Sequence, residues 1–280
     1  MNRSMTVAVN TLNQLQKQFD MVSHNIANVQ TTGFKRRNVS FTEMMVQQIN
    51  NQPSRLNEIG RLTPFGIRQG VGSMIEKNTM VLAQGSLKTT DRPLDIAFTK
   101  ENQFLKVLVQ DNGTSAVRFT RNGALYVTPT GNNELMLVTQ DGHPVLDENE
   151  NMIIFSDQHK EYAISKDGTF QARTENGNVI AASLGIIALN KPQFMEQKGD
   201  TLIGLPDNLD PAVDPASIYT ELTGGVLRSD ISIQGGALEN SNVDLSKEMT
   251  DLIQLQRSLQ FQSRSITVAD QMMGLVNGIR

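Results

Sequence analysis

Residues 5–26, MTVAVNTLNQLQKQFDMVSHNI, set Met5, Leu12, Phe19 and Ile26 seven positions apart, with Val9, Leu15 and Val22 in the intervening half-turns. A seven-residue apolar repeat lays one seam along a helix, and the seam is stable only where another helix covers it. The far end of the chain repeats the pattern. There Leu245, Leu252, Leu259, Ile266 and Met273 form the seam, and Met249, Leu255, Ala269 and Val276 fill in between. Two remote helices, each with a stripe to cover, imply chain ends that pair with each other or with other copies.

Local signals bound these helices. The first is predicted from about Arg3 to about Asn28, ended by Thr31-Thr32-Gly33, because glycine accepts the left-handed conformation that follows a helix. At ~1.5 Å per residue it is a rod of roughly 40 Å. Ser241-Asn242-Val243-Asp244 sets a carboxylate three residues after a serine, a variant capping box. The last helix is therefore predicted to open there and to run nearly to Arg280.

Between the helices the period changes. Leu105, Val107 and Val109 alternate with Lys106, Leu108 and Gln110, as in a half-buried strand, and Asp111-Asn112-Gly113 follows as a hairpin turn. Further turn signals stand at Asn122-Gly123, Gly131-Asn132-Asn133, Asp141-Gly142, Asp167-Gly168 and Asn176-Gly177. Apolar runs at Ala124 to Val127, Leu135 to Val138, Met152 to Phe155 and Val179 to Leu189 separate them, which describes an antiparallel β domain.

The segments on either side of that domain are polar with scattered glycine. Gly66, Gly70 and Gly72, with Val71 and Ile75, point to extended or hairpin structure. The expected fold is mainly β with α-helical termini, and it is discontinuous. Residues 1–34 and 241–280 form a coiled-coil-like helical layer, 35–88 and 216–240 are extended connectors, and 89–215 are the inserted β domain. The implied shape is a hairpin-like chain with both ends at one pole.

Composition narrows the function. With 280 residues and 38% hydrophobic content the chain can bury a core, and a net charge of −4 offers no basic field for a phosphate backbone. Lys35, Arg36 and Arg37 are the one notable basic run. They read as a solvated cluster just past the first helix, favourable to its dipole. The absence of cysteine excludes disulfides, thiolate metal sites and thiol catalysis. No stretch approaches the ~18 continuous apolar residues of a membrane span, and the first thirty or so lack the design of a cleavable signal.

Catalytic constellations are not evident. His24, His143 and His159 lack the spacing that brings two ligands to one face, and His24 reads as helix surface. Asp147-Glu148-Asn149-Glu150-Asn151 copies the opening of a calcium loop, yet Met152 stands where glycine is needed and Gln158 where a bidentate glutamate is needed. It reads as a polar turn. Gly70-Val71-Gly72 is too short for a phosphate-binding loop. No cofactor is expected.

Ala27-Asn28-Val29-Gln30-Thr31-Thr32-Gly33-Phe34-Lys35 resembles the A-N-x-x-T-x-G-F-K signature of the bacterial flagellar rod and hook proteins, matching at Ala27, Asn28, Thr31, Gly33, Phe34 and Lys35. Ser23-His24-Asn25-Ile26 resembles the approach to it. Gly236-Ala237-Leu238-Glu239-Asn240-Ser241-Asn242-Val243-Asp244-Leu245 is similar to the family's G-x-L-E-x-S-N-V-D-L stretch, followed by Glu248-Met249 and Gln256-Arg257. In the middle, Gln84-Gly85-Ser86-Leu87 with Thr90, Pro93-Leu94-Asp95-Ile96-Ala97, and Thr120-Arg121-Asn122-Gly123 resemble its Q-G-S-L, P-L-D-x-A and T-R-x-G elements. Asn102-Gln103-Phe104-Leu105 departs from the usual glycine with paired phenylalanines.

The resemblance implies a structural, non-enzymatic subunit of the flagellar basal-body rod, with a hook or hook-junction subunit as the alternative within the family. It implies partners among copies of itself, other rod and hook subunits and the flagellar export apparatus, with no nucleic acid. It also implies export through the flagellum's own channel without cleavage. Phe41-Thr42-Glu43-Met44-Met45 resembles an export element, with Phe41 and Met45 as its apolar positions.

A lone amphipathic helix is marginal in water, and covering each large seam residue contributes about 1.5–3 kcal/mol. The termini are thus expected to be loosely associated in the free subunit and to lock together on polymerisation through head-to-tail contacts. Two rival classes stand beside this reading. A coiled-coil surface fibre would keep its heptads contiguous. A polysaccharide-cleaving enzyme would use carboxylates, for which Asp95, Asp141 and Asp147 are candidates by type.

Overall fold

The heptad at the front folds as α1, Asn2–Ala27, and the one at the back as α3, Leu245–Gly278, with the single turn α2, Gly225–Arg228, before it. These elements are seen in a computed structural model, which describes residues 2–43, 47–49, 67–70, 73–111, 113–131, 133–174, 179–206 and 214–278. The fold is mainly β with helical termini. Every named strand pair with a defined register is antiparallel.

The chain divides into two compact units. One holds Met1–His24, Arg37–Thr79 and Ser246–Arg280, and the other holds Asn25–Arg36 and Met80–Leu245. This division departs from the one expected from sequence. Much of what reads as connector belongs to the β unit, because backbone pairing recruits it. Leu87–Thr89 pairs with Ala237–Glu239, Ile96–Phe98 with Ile233–Gly235, and Tyr219–Glu221 with Ile186–Leu189. A ladder needs only N–H and C=O groups, so a polar segment joins a sheet without an apolar signature.

In the helical unit, the inward column of α1 contains buried Ala8 and Val22, with Met5, Leu12, Leu15 and Phe19 partly covered. Val9, expected in the seam, is exposed. Adjacent residues point about 100° apart on a helix, so turning Ala8 fully inward carries Val9 to the edge of that face. In α3 Leu255 is buried, and Leu252, Leu259, Ile266, Ala269 and Met273 are partly covered. Leu245 and Met249, also expected in the seam, lie on the flank of that column and are exposed. The same unit carries two short ladders, Arg37–Glu43 with Ser73–Met80 and Gln47–Ile49 with Ile67–Gln69. Gly66, Val71 and Gly72 fall outside the described residues.

The last helix opens later than the sequence implies. Ser241 Oγ accepts a hydrogen bond from the Val243 amide at 3.4 Å, closing a turn, and the helix begins at Leu245. Asp244 therefore occupies the N-cap position.

The β unit is built on a six-stranded sheet in the order Glu196–Gln197, Leu202–Gly204, Thr114–Thr120, Gln103–Asp111, Ile186–Leu189, Tyr219–Glu221. Two three-stranded sheets accompany it, Ile154–Ser156 with Glu134–Thr139 and Leu125–Gly131, and His159–Ile164 with Thr169–Thr174 and Val179–Ser183. The main core gathers Leu105, Val107, Leu125, Leu137, Phe155, Phe170 and Ile186. A second cluster holds Phe104, Phe119, Ile187, Leu189 and Ile203. Strand Gln103–Asp111 thus feeds one cluster with Leu105 and Val107 and the other with Phe104. It is covered on both faces there, and Lys106, expected on a wet face, is buried.

Several turn signals act as read. Gly113, Asn133, Gly142 and Gly168 adopt positive φ of 85°, 61°, 82° and 72°. Asn112, Asn132, Asn176 and Gly177 lie outside the described residues. Asn122-Gly123 differs. Asn122 Oδ1 accepts from the Ala124 amide at 3.1 Å, and a Cβ on Gly123 would stand 1.8 Å from the Ile96 carbonyl oxygen. Its glycine serves a close backbone crossing and no hairpin.

Candidate functional site

Three segments that the sequence marks separately meet in the β unit. Lys35 comes from the turn after α1, Arg121 from the end of strand Thr114–Thr120, and Glu239 from strand Ala237–Glu239. All three are buried. Lys35 Nζ donates to Glu239 Oε1 at 2.7 Å, and Arg121 Nε donates to Glu239 Oε2 at 2.6 Å. One carboxylate therefore serves two cations.

The remaining donors are placed on backbone oxygens. Lys35 Nζ reaches the carbonyls of Leu82 at 3.1 Å and Ala83 at 2.8 Å. Arg121 Nη1 reaches those of Glu101 at 2.9 Å and Gln103 at 2.7 Å, and its guanidinium lies 5.4 Å from the Phe98 ring centre. Such satisfaction is what allows charges to be buried. Burial and then the charge of Arg121 lower the Lys35 ammonium from its ordinary 10.5. Burial pushes the Glu239 carboxyl up, but the charge of Arg121 and the hydrogen bonds from Lys35 and Arg121 together hold it below its ordinary 4.5. Lys35 is thus no part of a solvated basic cluster.

Backbone geometry closes around the same carboxylate. The Gly33 amide donates to the Glu239 carbonyl at 2.8 Å, and the Gly85 amide to Glu239 Oε1 at 2.9 Å. Gly33 has φ of +71°, and a Cβ there would stand 2.5 Å from the Arg121 carbonyl carbon. It is not the cap of α1, which ends at Ala27. Its bare Cα lets the turn lie against the Arg121 backbone. Within that turn Thr31 Oγ1 donates to Asn28 Oδ1 at 2.9 Å, and Phe34 is buried. Asn242 fastens the next residue: Oδ1 accepts from the Arg36 amide at 2.6 Å while Nδ2 donates to Val81 and Ala83 carbonyls at 2.9 and 2.8 Å.

The helical unit offers a second candidate. Ala8 lines a groove of about 380 Å³ together with Phe261, Arg264, Ser265, Val268, Ala269 and Met272 of α3. The early part of α1 therefore lies beside the later half of α3. Phe261, Val268, Met272 and Leu275 are 75%, 52%, 49% and 69% exposed. Their spacing puts them on one face, roughly opposite the covered column. This second stripe is legible in the sequence as intervals of seven, four and three, offset from the heptad of Leu252, Leu259 and Ile266.

The other candidates separate. Ile26 is partly covered and Ala27 exposed at the end of α1, and Phe41 is exposed in strand Arg37–Glu43. Met45 falls outside the described residues. Asp95 is buried, accepting from Thr90 Oγ1 at 2.8 Å and lying 3.4 Å from Arg92 Nη1. Asp147 accepts from the Asn149 amide, and its own amide bonds the Asn151 carbonyl at 2.8 Å, so the calcium-like run folds as a turn on itself. Asp141 is exposed in the turn before Gly142. His159 is buried with Nδ1 2.8 Å from the Ser156 carbonyl. Among the described residues no group of three or more His, Asp or Glu is placed to hold a metal ion. No helix among them is long and apolar enough to cross a membrane.

Residues 5–35 match the model of the flagella basal body rod protein family, and residues 234–279 match that of the flagellar basal body rod FlgEFG protein C-terminal. The two matches include Lys35 and Glu239. The chain is 44% identical to the flagellar hook-basal body complex protein FlhP of Bacillus subtilis (strain 168), over 100% of both chains. It is 29% identical to the flagellar basal-body rod protein FlgG of Agrobacterium fabrum, over 98% of both. Against FlgG of Bacillus subtilis (strain 168) the identity is 29%, over 98% of this chain and 97% of the other.

Proposed function

The chain belongs to the bacterial flagellar basal-body rod and hook protein family and is a structural subunit of that assembly; from this premise we propose that it polymerises through its two terminal helices. The observation that carries the reading is the second apolar stripe of α3. Phe261, Val268, Met272 and Leu275 stay exposed after the inward column of the same helix has been covered. Removing a fully exposed side chain of this kind from water contributes about 1.5–3 kcal/mol, and the exposed fraction of each supplies its share of the driving force for a neighbouring copy to cover it.

On this reading the helices of one chain pair in a coiled-coil-like layer, and neighbours pack on the exposed stripe and into the groove it borders beside Ala8 by heterologous, non-closing contacts. The termini lock fully only in the polymer. The subunit reaches the basal body through the flagellar export apparatus, with Phe41 and Met45 as the export element. A family signature at Ala27, Asn28, Thr31, Gly33, Phe34 and Lys35 shapes the turn that follows α1.

The experiment is a double substitution, Phe261→Asp with Leu275→Asp, in the full chain. Both side chains are exposed, so the purified subunit should keep its melting behaviour while incorporation into basal bodies is lost. Wild-type incorporation would refute polymerisation through this face.

A further inference from the structure

We propose that Glu239 sets the order of assembly within the chain: the segment Asn25–Arg36 docks beside Arg121 only after strand Ala237–Glu239 has joined the β unit. This goes beyond the structural role in the rod or hook. It concerns how one subunit closes upon itself.

Lys35 and Arg121 are both cations, both buried, and both bonded to the oxygens of the same carboxylate. Their other hydrogen bonds run to backbone carbonyls, among them those of Leu82, Ala83, Glu101 and Gln103, which carry no net charge. Glu101 also acts on both cations, but it is exposed and its pull is the smallest of those on either. Without Glu239, docking the turn would bring two cations together in a low-dielectric site with no buried carboxylate bonded to either among the described residues, which repulsion and desolvation oppose.

Chain order makes the arrangement directional. Any process that delivers the polypeptide N-terminus first supplies Lys35 and Arg121 before Glu239. The strand that carries the carboxylate also supplies the backbone oxygen for Gly33 and, through Oε1, an acceptor for Gly85. The turn thus lacks both its neutralising charge and part of its backbone closure until the late strand arrives. Arg121 can wait, because strand Thr114–Thr120 forms its ladder with Gln103–Asp111 from residues already present.

Hydrogen–deuterium exchange on the full chain tests this. In pulse labelling during refolding from urea, peptides from 28–36 should gain protection together with 236–240 and after 103–120. Protection of 28–36 ahead of 236–240 would overturn the proposal. In the native state, Glu239→Gln should speed exchange of 28–36 by at least about tenfold while 103–120 keep their protection. Adding Lys35→Met to Glu239→Gln removes the like-charge conflict and should slow exchange of 28–36 again. If the double variant exchanges as fast as or faster than the single one, the residues act by packing alone and the electrostatic ordering is wrong.

Discussion

Lys35 Nζ and Glu239 Oε1 lie 2.7 Å apart across 204 residues of chain, and both side chains are almost wholly shielded from water. The pair joins the two segments that the family models match at opposite ends of the sequence. Breaking it from either side has different consequences, because Glu239 also holds Arg121.

Glu239→Gln leaves two buried cations without their anion. Removing one member of a buried ion pair costs about 3–5 kcal/mol, so the urea midpoint of the β unit should fall by that equivalent. Lys35→Met keeps the Arg121–Glu239 pair and should cost less. Equal losses for the two variants would contradict the shared carboxylate.

The acid limb of stability follows from the same group. Glu239 has its folded pKa depressed below 4.5, so its contribution is complete above 4.5 and is lost as pH falls through the folded value. The stability difference between wild type and Glu239→Gln should therefore be constant near neutrality and shrink only in acid below that point. A difference that already fades at neutral pH would assign the effect to another group.

Gly33→Val forces a β-branched residue into a positive φ and drives its Cβ against the Arg121 backbone, 2.5 Å from a carbonyl carbon. Strain and overpacking together should cost about 2–5 kcal/mol, and Gly33→Ala should recover only part of it. Denaturation of the full chain measures this. A variant within about 0.5 kcal/mol of wild type would mean that the turn moves away freely.

The two faces of α3 should respond differently. Leu252→Asp with Leu259→Asp places charges in the inward column, and should lower the helical content of the free subunit as well as abolish incorporation. Phe261→Asp with Leu275→Asp should abolish incorporation alone. Circular dichroism of the four-residue set, read beside basal-body incorporation, separates covered from outward positions.

Much of this fold was readable because its signals are local. The seven-residue intervals of Leu12, Phe19, Leu252 and Leu259 found both helices, and the Asx-Gly turns at Gly113, Gly142 and Gly168 found hairpins. The ion cluster was not readable by the same means. Lys35, beside Arg36 and Arg37, has the composition of a wet patch, and nothing within its own segment reports a carboxylate far along the chain. The retrievable signal was the charge at three separately marked stretches: plus at Lys35, plus at Arg121, minus at Glu239. Connector segments hid for a related reason, since Leu87–Thr89 and Ala237–Glu239 join by backbone pairing that leaves little periodicity.

Asn242 holds its place by facing an amide N–H with its oxygen and two carbonyls with its nitrogen. Hydrolytic loss of ammonia would turn it into aspartate, which has no donor to offer and adds a negative charge opposite the oxygens of Val81 and Ala83. Chemical ageing at this single carboxamide would convert a fastening point into a repulsive one, so the lifetime of the folded subunit is tied to how well its backbone keeps that side chain from reacting.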